Sequence, residues 1–298
     1  MIQDDLKKKK AGLILEGGSS RGVFTAGVLD YLLEQDFLFP YVIGVSAGAC
    51  NALSYVSKQK GRSFDCFAPE KKEDCYKNSF HKALKQKSIY DMDKLFGTFP
   101  NETFPYDFEA YVKQGMECEM VVTNVNTGQA EYLSEKKDCA RLCNICRASA
   151  SLPVASPIVT IDGTPYLDGG LADSIPLKHA LQTGHKKNVI ILTRPYGYRK
   201  KFPSKSARMY IAFFKEYPNL VKSIYYRPYY YNKRVEAIER LEREGKVFVI
   251  RPTLPSPGRT EVNREKLKAF YNHGYNTMVM EFDKMKAFLG VQHKGEQR

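Results

Sequence analysis

The first fifty residues alternate between continuous apolar runs and a stretch with helical periodicity. Ala11–Leu15 and Tyr41–Val45 are apolar runs of strand length. Between them, over Val23–Glu34, the residues Val23, Ala26, Leu29, Leu32 and Leu33 recur at the spacing of one helix face. A strand–helix–strand unit of this length implies two parallel strands joined by a right-handed crossover. The two turns that follow the strands then emerge at the C-terminal edge of one sheet, where open α/β sheets place their sites.

Further along the pattern is less regular. Residues 57–110 are polar, with Pro69, Pro100 and Pro105, and predict short helices and loops over the site. Glu119–Asn124 and Ala130–Leu133 read as a strand pair joined across Asn126-Thr127-Gly128, followed by a helix to about Ala150 that ends before Pro153. Pro157–Ile161 and Pro165–Leu167 flank the hairpin signal Asp162-Gly163, and Asn188–Thr193 is another buried strand. After Pro195 the texture changes: the stretch to Tyr231 is rich in Tyr, Phe, Lys and Arg. Val235–Glu244 reads as a charged helix with Glu236/Arg240 and Glu239/Arg243 pairs, ended by Gly245. Lys246–Arg251 is a late strand and Arg264–Leu289 is mostly helical. The pattern divides the chain into a catalytic core, 1–195, and a mainly helical subdomain packed on it, 196–298.

Composition narrows the class. No apolar run approaches the roughly 18 residues of a membrane span. The basic run Lys7–Lys10 is followed by an apolar stretch that stops at Glu16, short of a signal-peptide core. A cytoplasmic protein is expected. The net charge of +13 suits an anionic partner, either a phospholipid surface or nucleic acid. Seven cysteines, an odd count, fit a reducing compartment. The spacing Cys139-x₃-Cys143-x₂-Cys146 matches that of radical iron–sulfur enzymes, but it is also a single stripe along a helix. The flanking residues read as plain helix without a glycine-rich loop, which favours a structural role and no metal.

The chemistry lies in two glycine-rich segments, Glu16-Gly17-Gly18-Ser19-Ser20-Arg21-Gly22 and Gly44-Val45-Ser46-Ala47-Gly48. The second is a G-x-S-x-G elbow between a strand and a helix. Ser46 is its candidate nucleophile, and Gly44 and Gly48 stand where any Cβ would clash. The first loop offers free backbone N–H groups at a helix start, which suits a developing oxyanion. His179, His185, His273 and His293 follow Asp168 in the chain, so a serine–aspartate–histidine triad is formally open. Only two strands precede Ser46, however, and no histidine stands in a catalytic setting.

These segments, with Arg147-Ala148-Ser149-Ala150-Ser151-Leu152-Pro153, Asp168-Gly169-Gly170 and Leu171-Ala172-Asp173-Ser174-Ile175-Pro176, resemble the patatin-like phospholipases in order and spacing. The likeness is greatest to bacterial cytoplasmic members with a C-terminal extension, and is specific over about 10–195. It implies a three-layer α/β/α sandwich with a mainly parallel sheet. It also implies a Ser46–Asp168 dyad, with Gly169 and Gly170 in the turn after the aspartate. The oxyanion loop would be Gly17, Gly18, Ser19, Arg21 and Gly22, with backbone N–H donors around Gly18 and Ser19. The family's loop usually carries Gly where this chain has Ser19. A serine there fits at negative φ and is strained at positive φ. The implied activity is a carboxylic ester hydrolase of phospholipase A or lysophospholipase type, acting on lipids without metal or organic cofactor. The positive charge suits peripheral contact with an anionic membrane surface, and nucleic acid is the less expected partner. The alternative is a non-catalytic basic protein that associates with membrane or nucleic acid on a hydrolase scaffold.

Overall fold

The computed structural model describes residues 2–79, 81–83, 88–202 and 207–291. Eight strands form one sheet: β1 (Ala11–Leu15), β2 (Tyr41–Val45), β3 (Glu117–Asn124), β4 (Ala130–Leu133), β5 (Val159–Ile161), β6 (Thr164–Asp168), β7 (Lys187–Ile191) and β8 (Val247–Ile250). The pairing path runs β5-β6-β3-β2-β1-β7-β8, with β4 also paired to β3. The five strands from β3 to β8 are parallel, and β4, β5 and β6 join antiparallel. At the β5–β6 hairpin, Asp162 and Gly163 both take positive φ, as a tight turn of that sequence requires.

Alternation along the central strands separates two apolar layers. Leu13, Leu15, Val42, Val189 and Ile191 enter one core with the helices Gly22–Glu34, Ala47–Val56 and Arg264–Leu289. Their neighbours Ile14, Ile43, Val45 and Ile190 enter the other, beneath Leu177–Gln182 and the helix Pro218–Arg243. Strands covered on both faces need continuous apolar runs, which β1 and β2 have throughout and β7 has from Val189 on. The result is the three-layer α/β/α sandwich expected from the resemblance. The chain beyond Pro195 contributes to every layer: β8 to the sheet, and one 26-residue helix to each face.

The helix Pro218–Arg243 begins seventeen residues earlier than the charged segment at Val235 suggests. Its buried stripe is Leu220, Ile224, Pro228, Tyr231, Val235 and Ile238, a clean helical period. The tyrosines at 225, 226, 229 and 230 fill the opposite face and mask that period in the sequence. Between Val56 and β3 the chain is irregular as expected, with a helix at Arg62–Phe67, a wide π-type turn at Lys94–Thr103 and a helix at Phe108–Lys113.

Gly22–Glu34 and Arg264–Leu289 cross at a paired glycine contact. A Cβ on Gly27 would run into the Tyr271 carbonyl, and one on Gly274 into the Phe24 carbonyl. Asn263 caps the second helix by accepting from the Lys266 N–H at 3.0 Å. Around the crossing, the Phe24 and Phe270 rings pack tilted at 42° with centroids 5.6 Å apart. Gly274→Val is expected to lower unfolding free energy by at least about 2 kcal/mol in urea titration, because the contact it invades is backbone and cannot swing aside. An unchanged midpoint would show that the helices separate freely.

Candidate active site

Ser46 follows the last residue of β2 and precedes the first of the helix Ala47–Val56. Its φ of +56° and ψ of −121° place a non-glycine residue in a strained conformation, at a cost on the order of 1–3 kcal/mol. The tightness shows at the flanking glycines: a Cβ at Gly44 would lie 2.6 Å from the Ala49 nitrogen, and one at Gly48 2.9 Å from the Leu15 carbonyl carbon. The Ser46 N–H donates to Ser149 Oγ at 2.9 Å, and the Ser149 hydroxyl donates to the Val121 carbonyl at 2.7 Å. Ser149 thereby pins the elbow to β3. Its role was not legible in the sequence, where it is one small residue in a small-residue run.

Strand register brings Asp168 to the same place. Val45, the last residue of β2, pairs with Val121, and Asp168, the last residue of β6, pairs with Val122. Tyr132 and Glu131 of β4 occupy the opposite edge of those two positions. β2 and β6 therefore share one edge of β3 and meet with their C-terminal ends facing. Asp168 is 1% exposed. Its Oδ1 accepts from the Gly170 N–H at 2.7 Å, its N–H donates to the Ser151 carbonyl at 2.7 Å, and its carbonyl accepts from the Thr123 hydroxyl at 2.9 Å. Oδ2 has no partner among the described residues. A buried carboxylate oxygen left without a partner costs about 1–3 kcal/mol, and Asp168 lines the same basin as Ser46. A Cβ on Gly169 would run into the Val121 carbonyl, and one on Gly170 would lie 3.1 Å from Arg227 Nη2.

The first glycine-rich loop is anchored by Glu16. This buried carboxylate accepts from the Thr193 N–H at 2.7 Å, the Thr193 hydroxyl at 3.1 Å and the Tyr231 hydroxyl at 2.8 Å. It ties the ends of β1 and β7 to the helix Pro218–Arg243. Gly17 passes beneath the elbow, where a Cβ would lie 3.0 Å from Ser46 Cβ, and a Cβ on Gly22 would lie 2.9 Å from that of Ala47. Gly18 is closed in by Thr193 Oγ1, 2.7 Å from where a Cβ would stand. The backbone N–H groups of Gly17, Gly18 and Ser19 have no acceptor among the described residues. Ser19 takes a φ of +50°, the strained alternative for a serine at this point. Arg21 is 6% exposed, its Nε is unpartnered, and its guanidinium is pushed down to about 10, first by burial and then by Arg194.

Two pockets meet at this loop and elbow, sharing Ser19, Ser46 and Leu152. One is apolar, with walls from Leu53, Phe67, Met92, Phe96 and Phe99, much of it from the irregular 57–110 segment. Cys143 and Cys146 of the cysteine stripe lie on its wall, with Cys146 Sγ 3.6 Å from Cys50 Sγ. The other pocket is polar and holds Asp168 and Glu16 together with Arg21, Arg194, Lys200, Lys201, Arg227 and Arg259. Reading the sequence found the loop, the elbow and Asp168 but missed the last five of these cations. Lys200, Lys201 and Arg227 come from the stretch after Pro195 that shows only a basic, aromatic composition, and Arg194 and Arg259 lie in the connections after β7 and β8. No histidine lines either pocket among the described residues. His179 stacks on Tyr132, His185 stacks on Tyr41, His273 accepts from the Thr253 N–H, and His293 lies outside the described residues. No group of three or more His, Cys, Asp or Glu side chains converges as metal ligands among the described residues.

A strained serine stands between strand and helix at the C-terminal edge of a mostly parallel sheet, in an α/β/α protein. The chain belongs to the patatin-like phospholipase family, whose model matches residues 13–181. A domain of unknown function (DUF6363) matches residues 217–290, which carry the two long C-terminal helices and β8. The "Uncharacterized protein YjjU" of Escherichia coli (strain K12) is 30% identical over 193 residues, covering 62% of this chain and 52% of its own length. The chain thus spans about half the length of that curated relative. VipD from Legionella pneumophila aligns structurally with a TM-score of 0.44 and 16% identity, over 92% of this chain and 67% of its own.

The strain at Ser19 has a measurable consequence. Ser19→Gly is expected to raise unfolding free energy by about 0.5–1 kcal/mol, since relief of a left-handed φ outweighs the added chain entropy of glycine. A loss of stability in thermal melting would mean that the Ser19 side chain makes a contact worth more than the strain.

Proposed function

We propose that the protein is a serine acyl hydrolase of phospholipase A or lysophospholipase type, with Ser46 as nucleophile and Asp168 as its proton acceptor. The observation that carries this reading is the position of Ser46. It stands where an apolar pocket and a polar basin meet, and Asp168, whose Oδ2 has no partner among the described residues, lines that basin. An amphiphilic ester fits such a junction, its acyl chain in one pocket and its headgroup in the other. Family membership supports the same reaction class.

In this mechanism Ser46 Oγ attacks the ester carbonyl while Asp168 Oδ2 takes the hydroxyl proton. The tetrahedral oxyanion faces the unpaired N–H groups around Gly18 and Ser19, where each such donor contributes about 3 kcal/mol in the transition state. Collapse expels the alcohol, which receives the proton from Asp168. Water then enters, gives its proton to Asp168 and attacks the acyl-serine ester, and the fatty acid leaves as the serine is reprotonated.

The same reading places the enzyme against a lipid surface. Tyr225, Tyr226, Tyr229 and Tyr230 are 41–59% exposed on one helix face, and Ile211 and Phe202 adjoin them. Amphipathic rings suit a headgroup layer, and the +13 charge favours anionic lipid. Among the described residues no helix is long and apolar enough to cross a membrane.

A fluorophosphonate should form one adduct on the folded protein, at Ser46. Ser46→Ala and Asp168→Asn should each cut hydrolysis of a lysophospholipid on the order of 10³-fold or more. Full activity in Ser46→Ala would end this mechanism, and absence of any adduct would favour a binding protein on the same scaffold. For the surface, Tyr226→Ser with Tyr230→Ser should weaken co-sedimentation with phosphatidylglycerol vesicles several-fold. Unchanged sedimentation would place the contact elsewhere.

A further inference from the structure

The polar basin beside Ser46 has a charge imbalance that hydrolysis alone does not require. Six cationic side chains line it, and its two carboxylates are otherwise engaged. Glu16 accepts three hydrogen bonds from Thr193 and Tyr231, and Asp168 lies at the reacting end. None of the six cations pairs with a carboxylate among the described residues. Two of them present buried donors with no acceptor, Arg21 Nε and Arg227 Nε, and Arg21 is more than nine-tenths buried. Burial and the neighbouring Arg227 push the Lys200 ammonium well below its ordinary range, and burial pushes Arg227 down as well. Like charges gathered in one cavity repel, and Glu16 and Asp168 offset only part of the charge of the six, so an anion bound among them would be stabilised.

We propose that this basin is a subsite for a phosphate monoester, the headgroup of lysophosphatidate or phosphatidate. The subsite makes the enzyme select lipid esters whose headgroup carries about two negative charges. The proposal deepens the acyl-hydrolase reading and rests on it for the lipid source of the phosphate.

Three features favour a compact dianion over a zwitterionic headgroup. The guanidinium groups of Arg21 and Arg227 supply forked donors suited to phosphate oxygens. Ser174 Oγ, 3.5 Å from Lys200 Nζ, adds a hydroxyl at the same wall. Two of the three tyrosine rings that line the basin, faces a choline ammonium would seek, already carry the chain's own cations. Lys200 Nζ lies 3.5 Å from the centroid of Tyr231, and the Arg194 guanidinium 4.4 Å from that of Tyr198. Most of this subsite comes from residues beyond Pro195, which gives the C-terminal region a part in substrate choice.

Binding is best read in the full-length Ser46→Ala protein, where turnover cannot interfere. Calorimetric titration would compare lysophosphatidate, lysophosphatidylcholine of the same acyl chain (both below their micellar concentrations) and glycerol 3-phosphate. Lysophosphatidate is expected to bind at least tenfold more tightly than lysophosphatidylcholine. Lys200→Gln and Arg227→Gln, each added to Ser46→Ala, are expected to weaken lysophosphatidate about tenfold, and thermal melting checks that each variant is folded. Should Arg227→Gln not fold, Lys200→Gln alone decides. Lysophosphatidate binding tighter than glycerol 3-phosphate supports a lipid headgroup as the occupant, whereas equal affinity keeps the phosphate subsite but assigns it to a soluble ester. Equal affinity for the two lysolipids, or affinity indifferent to both variants, overturns the proposal. Failure of the hydrolase reading shows separately, as a missing fluorophosphonate adduct on wild-type Ser46.

Discussion

One edge of β3 is shared end to end by two strands, and the candidate site exists because of that join. β2 stops at Val45 opposite Val121, and β6 stops at Asp168 opposite Val122. With β4 filling the far edge, the C-termini of β2 and β6 have nowhere to go but toward one another. The chain leaves each of them by a tight turn, through Ser46 on one side and Gly169-Gly170 on the other. A slip of one residue in either register would turn Ser46 or Asp168 to the opposite face. Ser149 and Thr123 guard against that slip, bridging the Ser46 N–H to the Val121 carbonyl and holding the Asp168 carbonyl.

The site concentrates conformational and electrostatic cost that the rest of the molecule offsets. Ser46 and Ser19 hold left-handed φ values, Asp168 Oδ2 and two arginine Nε groups lack partners, and several cations crowd one basin. Each strained or unpartnered group costs about 1–3 kcal/mol, and they lie within one small region. Two apolar layers, one on each face of the sheet, supply the compensating stability. Local rules are most often broken where chemistry is done, and this cluster of exceptions coincides with the glycine-rich loops.

The region beyond Pro195 belongs to that arrangement. Tyr231 donates to Glu16 and so helps hold the first loop, while Lys200 and Arg227 project into the basin beside Asp168. The helix Arg264–Leu289 covers the opposite layer through the Gly27–Gly274 crossing. A single sheet edge, β8, carries the chain from one face to the other.

What the sequence determined by itself was local. Continuous apolar runs marked β1, β2 and, from Val189 on, β7, since strands covered on both faces need them. The glycines at 44 and 48 marked the elbow, since only glycine fits where backbone passes within van der Waals contact of backbone. The resemblance added Asp168, which spacing alone could not separate from an ordinary turn such as Asp162-Gly163. Only the tertiary structure decided the remainder. Sharing of the β3 edge is a pairing across more than forty residues, and no local pattern encodes it. The positive φ at Ser19 appears only in the folded loop, whose preceding glycines pack against Ser46 and Thr193. The helix from Pro218 stayed hidden because tyrosines on its outer face obscure the buried period. The cationic basin gathers side chains from residues 21 to 259, so its charge is a property of where the chain returns and not of any segment along it.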